Sequence, residues 1–413
     1  MNSPSGWMKK LGSGIGWIIA AMIAGAALGL TFPETAVKFA PLSKLVLQLI
    51  KAAATPLVFF AVLEAILRYR VAGGDFLKLL TVTLVNASVA ISIGLLVANI
   101  FEPGQYLQFL ASDVGSAAKQ VDFLELLARQ LPVSIVQPLA DNSIMPLVLI
   151  AIAFGFAWRQ VKSKQGADGI ALMDRSEVLV SITRELCEIL LIWIVKLIPF
   201  AVFAAIAKVT AEHGLDPFEG LGKYVALCLM GMAIHVVFTY SAWLWVFVRE
   251  SLQKFWSHAV EPALYAFGVN SSLVALPLTL RALDRLGISR RASTLAAVVG
   301  TNLNNDGIIL YEGFTLLALA QAGGVEMSLG AQIFAALYCI VAAMGVAGVP
   351  EAGVVALTLV LGSLGIPVEA LALLLSVDWI IARARSFLNT TSDMVGSMVL
   401  HRWLEASEPA KPG

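Results

Sequence analysis

The sequence has few charged residues and no excess of basic over acidic ones. Only 14% of its 413 residues are charged, whereas soluble domains carry about 25%. Lys and Arg together number 28, as do Asp and Glu, so the formal net charge is zero. A nucleic-acid-binding protein would need basic charge to neutralise phosphates. We therefore expect neither a soluble domain, a disordered chain nor a nucleic-acid partner.

Cysteine and histidine are also scarce. The three cysteines, Cys187, Cys228 and Cys339, each lie in an apolar run, and none has a partner at the spacing of metal ligands. We expect them to be small buried side chains. The four histidines are scattered, and no nucleophile and base are spaced as a catalytic pair. The sequence therefore predicts no enzyme and no cofactor other than a bound Na⁺.

Apolar residues, by contrast, make up 59% of the chain and form long runs. A helix that crosses the hydrocarbon core needs about 20 largely apolar residues. The first run resembles a signal peptide but lacks a clear cleavage site, so we interpret it as a span. The predicted spans of this polytopic membrane protein are Ile15–Phe32, Leu42–Leu67, Leu77–Phe101, Ile144–Trp158, Val178–Ile206 and Tyr224–Val248.

Basic residues lie in alternate gaps between these runs. They precede the first span, separate the second from the third, and follow the fourth and the sixth. Cytoplasmic loops carry an excess of Lys and Arg. We therefore expect both termini on the cytoplasmic side of a plasma (inner) membrane.

From His258 onward the apolar runs are short and repeatedly broken. The breaks are Val269–Pro277, Gly300–Gly307 and Gly345–Gly353. Non-helical backbone at membrane depth must be buried in protein or line a cavity. Paired broken segments are typical of transporter binding sites. The sequence therefore predicts a repeat in which a helical hairpin precedes a long polar-faced helix.

The last predicted helix, roughly Val368–Trp403, carries a polar face. Its residues Asp378, Arg385, Asn389 and Asp393 follow one another at steps of 7, 4 and 4, which places them on one side of a helix. Ser386 flanks this face. A guanidinium matches a carboxylate in geometry, so Arg385 is predicted to bind an anionic substrate. The alternative is an internal Arg–Asp pair that only supports folding.

A second polar cluster, Asn304-Asn305-Asp306-Gly307, interrupts another apolar run. Hard cations prefer carboxylate, amide and backbone oxygens, so one interpretation is a bound Na⁺; the other is a polar kink that caps two half-helices. Glu312 lies about two turns later, where apolar surroundings favour a protonated carboxyl. Glu312 is thus a candidate proton carrier, or else a partner of Arg383 or Arg385.

Four motifs in the second half carry a resemblance. They are Asn304–Gly307 followed by Tyr311-Glu312-Gly313, Ser271-Ser272 before Leu276-Pro277, Gly345–Gly353, and Val377–Asp393. Together they resemble the seventh helix, the two re-entrant hairpin tips and the eighth helix of the dicarboxylate/amino acid:cation symporter family. That family includes archaeal aspartate transporters, bacterial dicarboxylate transporters and mammalian excitatory amino acid transporters.

The resemblance implies a fold and an assembly. We expect an all-α polytopic protein with eight transmembrane helices and two re-entrant hairpins, a glutamate-transporter-like elevator fold and a homotrimer in the lipid bilayer. The implied division is a scaffold of residues 1–73 and 104–215, and a transport domain of residues 74–103 and 216–404.

The resemblance also implies site residues. The implied substrate contacts are Arg385, which would hold the distal carboxylate, and Ser271, Ser272, Val349, Gly353, Ala382, Ser386 and Asn389. One implied sodium site comprises Gly300, Asn304, Asn389 and Asp393, and part of another comprises Asp306 with Asn304. Glu312 matches the proton carrier of the mammalian members.

Several positions depart from the family pattern. Ala382 stands where amino-acid carriers have the aspartate that binds the substrate ammonium. Asn305 and Ile308 replace the methionine and threonine of the seventh-helix signature. The third helix has Thr83, Asn86 and Ala87 where the family uses a tyrosine and two hydroxyls for sodium. These departures weaken the inference of sodium coupling and favour proton coupling.

The resulting hypothesis is a secondary active transporter that moves a small anionic dicarboxylate with H⁺ and/or Na⁺. The alternative is an acidic amino acid:cation symporter that binds the ammonium in another way. A substrate-gated anion channel is a third, more distant alternative.

Overall fold

The structure, a computed structural model, describes residues 4–68, 73–110, 134–345, 352–363 and 371–406. The regular elements in these ranges are all helices, and no strand occurs among them. The expected all-α class is therefore confirmed. Helices suit so apolar a chain, because the backbone N–H and C=O groups of a membrane-spanning segment must form their hydrogen bonds within the protein.

The first half contains the longest apolar helices. In chain order they are α1 (Pro4–Thr31), α2 (Pro33–Val37), α3 (Ala40–Arg68), α4 (Gly73–Phe101), α5 (Gln137–Ala140), α6 (Ile144–Ser163), α7 (Ala167–Val195), α8 (Ile198–His213) and α9 (Pro217–Ile234). A 3₁₀ segment, Pro103–Leu110, follows α4.

The second half consists of shorter helices around two central ones. These are α10 (Leu252–Val269), α11 (Ser272–Arg285), α12 (Arg290–Ser293), α13 (Asp306–Ala322), α14 (Leu329–Gly345), α15 (Ala352–Ser363) and α16 (Leu371–Glu405). Every side chain of α13 except Gln321 is buried, and most of α16 is buried as well. The polar residues of interest lie on these two helices.

Four helical stretches in the described ranges are long and apolar enough to cross a membrane. They are Pro33–Glu64, Leu77–Phe101, Ala167–His213 and Pro217–Val248. The predicted span Val178–Ile206 lies inside the third of these stretches. A two-residue turn, Lys196–Leu197, separates α7 from α8 within it, just before Pro199, which lacks a backbone N–H. The total of eight spans stays a prediction.

Helix α9 continues into two π-helical segments, His235–Tyr240 and Trp243–Val248. A π-turn adds a residue to the helical turn and rotates the following side chains, and such turns are frequent at functional sites. Here the buried residues His235 and Tyr240 belong to the first π segment. Trp243 opens the second.

Two helix pairs occupy the places where the sequence is broken. Helices α10 and α11 pack on each other, and Asn270 ends α10 in the left-handed conformation with a φ of 53°. The Ser271 hydroxyl then caps α11 by accepting from the N–H of Val274 at 3.3 Å. Helices α14 and α15 also pack on each other. Their re-entrant character in a membrane stays a prediction.

Two glycines allow α1 to pack closely along α8. A Cβ at Gly25 would lie 2.6 Å from the carbonyl oxygen of Phe203, and one at Gly29 would lie 2.6 Å from that of Ala207. Small residues spaced by four permit such backbone approach between membrane helices. The packing of α1 therefore depends on the absence of side chains at these positions.

We expect Gly29→Leu to lower thermal stability, since overpacking costs about 1–3 kcal/mol or more. The measurement is the melting temperature of the purified protein. Gly16→Leu on the same helix is the matched control, because nothing lies within 4 Å of a Cβ at Gly16. Equal melting temperatures for the two variants would show that the α1–α8 contact does not stabilise the fold.

Candidate functional site

Arg385 of α16 forms a buried bidentate ion pair with Asp378, one of its predicted neighbours on the polar face. Nη1 lies 2.6 Å from Asp378 Oδ1 and Nη2 lies 2.9 Å from Oδ2. The guanidinium carbon also lies 4.3 Å from the ring centre of Tyr311. The helical spacing explains the pairing, and the aromatic ring adds a cation–π contact.

Both broken segments meet α16 at this arginine. A Cβ at Gly353, the second residue of α15, would lie 2.9 Å from the guanidinium carbon of Arg385. On the other side, the Ser386 hydroxyl lies 3.2 Å from Asn270 Oδ1 at the end of α10. Two of the three segments that the sequence marks as breaks, Val269–Pro277 and Gly345–Gly353, therefore converge on neighbouring positions of one helix.

Three of the remaining predicted substrate contacts, Ser271, Ser272 and Ala382, lie near this point. Ser271 and Ser272 form the start of α11, directly after Asn270. Ala382 is buried on α16, and its carbonyl oxygen lies 3.2 Å from the Ser386 hydroxyl. Val349 falls in the segment 346–351, which lies outside the described residues. Nothing charged stands at Ala382 itself.

Asn389 joins α16 to the start of α13. Its Oδ1 accepts from the backbone N–H of Gly307 at 2.9 Å, and its Nδ2 donates to Asn305 Oδ1 at 3.4 Å. A Cβ at Gly307 would lie only 2.7 Å from the carbonyl oxygen of Arg385. Glycine is therefore required there for the broken helix to approach α16.

Asp393 accepts hydrogen bonds from the broken segment before α13. Thr301 Oγ1 donates to Oδ2 at 2.8 Å, and Asn304 Nδ2 donates to Oδ1 at 3.2 Å. The Gly300 carbonyl accepts from the N–H of Asn304. The structure thus brings Gly300, Asn304 and Asp393 together, while Asn389 bonds to the start of α13 instead.

Asp306, the first residue of α13, is surrounded by polar groups from three helices. Its Oδ2 lies 2.8 Å from Asn86 Nδ2, 2.6 Å from Ser392 Oγ, 3.2 Å from Tyr240 Oη and 3.1 Å from His235 Nε2. Within the described ranges its other oxygen, Oδ1, has no hydrogen-bond partner.

Sequence reasoning missed His235, Tyr240 and Ser392 as neighbours of Asp306. One signal was present: His235 is the sole histidine, and no Asp, Glu, Lys or Arg occurs, in the predicted span Tyr224–Val248. Ionisable residues inside a membrane span are functional candidates. The π-helical turns that bring His235 and Tyr240 to one carboxylate have no such signature.

Glu312 is fully buried in α13. Within the described part of the chain neither of its carboxyl oxygens has a hydrogen-bond partner of ordinary geometry, and the nearest weak donor is the Cys339 thiol. Arg385 acts on it electrostatically, but the ion pair of Arg385 is with Asp378. A buried carboxyl with so few partners is suited to exchanging a proton.

The carboxyl groups of this site outnumber its fixed cations. Asp306, Asp378, Asp393 and Glu312 are all buried, and Arg385 is the guanidinium among them. Uncompensated buried charge is unfavourable. Such an arrangement favours uptake of a cation or a proton together with any anion that binds at Arg385.

The sequence profile of the sodium:dicarboxylate symporter family matches residues 15–403. The chain belongs to this family. Membership confirms the family resemblance of the four motifs and makes the protein a membrane transporter rather than an enzyme.

Curated relatives cover nearly the whole chain. A C4-dicarboxylate transport protein 3 from Ralstonia nicotianae is 28% identical over 411 residues, which is 96% of this chain and 90% of the relative. A C4-dicarboxylate transport protein from Anaeromyxobacter sp. is 29% identical, over 94% of this chain and 88% of the relative. A proton/sodium-glutamate symport protein from Bacillus subtilis is 25% identical, over 98% and 96%.

The buried ion pair between Arg385 and Asp378 predicts that replacing one partner lowers the stability more than replacing both. Arg385→Leu leaves Asp378 buried without its partner, and removing one member of such a pair costs about 3–5 kcal/mol. Arg385→Leu/Asp378→Leu removes both charges and should recover most of that stability. The measurement is the melting temperature of each purified variant.

A double variant that melts below the single one would contradict this assignment of the pair. Uptake of labelled dicarboxylate in proteoliposomes, measured in parallel, should be lost in both variants, since both lack Arg385. That second measurement separates the structural role of the pair from the binding role of the arginine.

Proposed function

We propose that the protein is a secondary active transporter of small dicarboxylates, coupled to a cation gradient. The observation that carries the proposal is the position of Arg385, which is buried, packed against Gly353 of α15, next to Ser386 with its Asn270 contact, and one helical turn from the uncharged Ala382. The names of the two C4-dicarboxylate relatives support the same substrate class.

A substrate carboxylate would bind at Arg385. Because Asp378 already engages both terminal nitrogens of the guanidinium, the substrate must share the arginine with Asp378 or displace it. Charge-assisted bonds of this kind are short and directional. Asp378 therefore acts as the internal competitor that sets how tightly a carboxylate is held.

The uncharged side chain of Ala382 favours a dicarboxylate over an acidic amino acid as the substrate. An amino acid would bring an ammonium group out of water into this site, and a buried charge without a partner is costly. Succinate, fumarate or malate has no ammonium. The Bacillus subtilis relative is named for glutamate, so an acidic amino acid, with Asp378 or Asp393 holding its ammonium, is the alternative.

Coupling is assigned to two separate positions. Glu312 is the proposed proton carrier, because it is buried beside Arg385 with almost no hydrogen-bond partners. Gly300, Asn304 and Asp393, with Asn389 nearby, form the proposed cation site. The charge balance of the site supports cotransport of cations with a dianion, since a dianion alone would add to the excess of carboxyl groups.

The proposed mechanism is an elevator in a homotrimer. Residues 1–73 and 104–215 would form the scaffold, and residues 74–103 and 216–404 would form the transport domain. The packing of α13 against both α4 and α16 supports grouping residues 74–103 with residues 216–404 in one moving unit. Both termini are proposed to face the cytoplasm from a plasma (inner) membrane.

Substrate class is tested by competition against labelled succinate in proteoliposomes. We expect unlabelled succinate and fumarate to compete well and aspartate and glutamate poorly in the wild type. In Ala382→Asp we expect the preference to move toward aspartate by at least tenfold, because a desolvated charge pair is worth about 1.5–7 kcal/mol. Ala382→Asn is the matched uncharged control.

Tighter binding of aspartate than of succinate by the wild type would support the amino-acid alternative. Counterflow in the same vesicles separates carrier from channel. A carrier exchanges internal for external label, whereas uncoupled conductance without exchange would identify the channel.

Proton coupling is tested at Glu312. Uptake should rise with an inward proton gradient in the wild type, and Glu312→Gln should lose that dependence while exchange continues, since glutamine resembles a protonated carboxyl. The measurement compares uptake under a proton gradient alone with uptake under a sodium gradient alone. If a sodium gradient alone drives uptake, and Glu312→Gln leaves that uptake unchanged, the proposal that Glu312 carries a coupled proton is refuted.

A further inference from the structure

Hydrogen-bond donors surround one carboxylate oxygen of Asp306. We propose that Trp243 fixes the Asn86 amide so that Asp306 is closed to metal cations. The inference rests on the proposed function, because it concerns which ion accompanies the substrate. It assigns Trp243 a positioning role and makes Asn86 and His235 determinants of ion specificity.

The orientation of Asn86 follows from the chemistry of its two partners. The indole N–H of Trp243 is a donor only, and it lies 2.9 Å from Asn86 Oδ1. The side-chain oxygen of Asn86 must therefore face Trp243. Its nitrogen, in consequence, faces Asp306 Oδ2 at 2.8 Å and Ser392 Oγ at 2.8 Å.

His235 presents a second donor to the same carboxylate oxygen. Its Nε2 lies 3.1 Å from Asp306 Oδ2 and its Nδ1 lies 3.1 Å from Thr239 Oγ1. Thr239 can donate to Nδ1, which leaves the hydrogen on Nε2 and directs it at Asp306. The imidazole thus occupies space on this side of the carboxylate that a cation would otherwise use.

Ser392 completes the set and couples it to the neighbouring site. Its hydroxyl accepts from Asn86 Nδ2 and Asn304 Nδ2, both at 2.8 Å. Its own hydrogen is therefore directed to Asp306 Oδ2 at 2.6 Å. The Tyr240 hydroxyl approaches the same oxygen at 3.2 Å. Four groups consequently satisfy one oxygen of Asp306.

A hard cation needs several oxygen ligands at once. Asp306 offers it Oδ1 alone, the atom without a partner among the described residues. The side chain on α4 that would add an oxygen turns its amide nitrogen inward instead. A metal cation at Asp306 would have to displace donors that are held from three helices.

The test uses the full-length protein in detergent and measures its melting temperature in sodium chloride and in choline chloride at equal ionic strength. Four proteins are compared: the wild type, Trp243→Phe, Trp243→Phe/Asp306→Asn and Trp245→Phe. Trp245 is 78% exposed, so its variant controls for loss of a tryptophan on the same helix.

We expect Trp243→Phe to gain a sodium response that the wild type lacks or shows more weakly. Without the indole N–H, the Asn86 amide can turn its oxygen toward Asp306, and a ligand that binds only the folded state raises its melting temperature. The expected gain is about 2 °C or more. It should disappear in Trp243→Phe/Asp306→Asn and be absent in Trp245→Phe.

Two results would overturn the proposal. One is a sodium response of the wild type that is unchanged in Trp243→Phe and lost in Trp243→Phe/Asp306→Asn, since Asp306 would then already bind the ion. The other is a Trp243→Phe protein that folds and shows no gain. If Trp243→Phe does not fold, Asn86→Thr replaces it, because threonine substitutes a hydroxyl oxygen for the donating amide.

Stabilisation by succinate, measured on the wild type in sodium chloride so that the cation is present, keeps this inference separate from the proposed function. Failure of succinate to raise the melting temperature would count against the dicarboxylate carrier. The comparison between sodium and choline remains interpretable in that case, because the contribution of Asp306 is the difference between Trp243→Phe and Trp243→Phe/Asp306→Asn.

Discussion

Ionic groups in the interior of this protein must find their partners within the protein, because the surrounding hydrocarbon supplies none. The pair between Asp378 and Arg385 is the clearest instance, and it places a guanidinium where both broken segments end. Asp393 and Asp306 are held in the same way by amides and hydroxyls. The bonds of Asp393 and Asp306 cross between the region of α13 and α16, so the electrostatic requirement also organises the packing of these two helices.

Most of this arrangement follows from the sequence. The spacing of Asp378, Arg385, Asn389 and Asp393 predicts one polar face, and the structure confirms that Asp378 and Arg385 meet on it. The helix break at Asn270 follows from local chemistry, since asparagine adopts the left-handed conformation more readily than most residues. The break before Asp306 coincides with the polar run Asn304–Asp306, which is buried in protein, as non-helical backbone at membrane depth must be or else line a cavity.

The surroundings of Asp306 could not be derived in the same way. Asn86, His235 and Ser392 come from helices that are far apart in sequence, and His235 and Tyr240 lie in a π-helical segment, His235–Tyr240. Periodicity of 3.6 residues does not anticipate an extra residue in a turn. The short turn at Lys196–Leu197 inside the predicted span Val178–Ile206 was missed for a simpler reason, since the hydropathy of the run outweighed the effect of Pro199.

The excess of carboxyl groups around Arg385 has a consequence for the fidelity of transport. A dianion that entered this site without accompanying cations would increase the negative charge of a region shielded from water, and such a complex would be high in energy. The unaccompanied complex would therefore be sparsely populated and would rarely cross. The cation coupling that we propose would then arise from electrostatic repulsion, with little slippage of substrate down its own gradient.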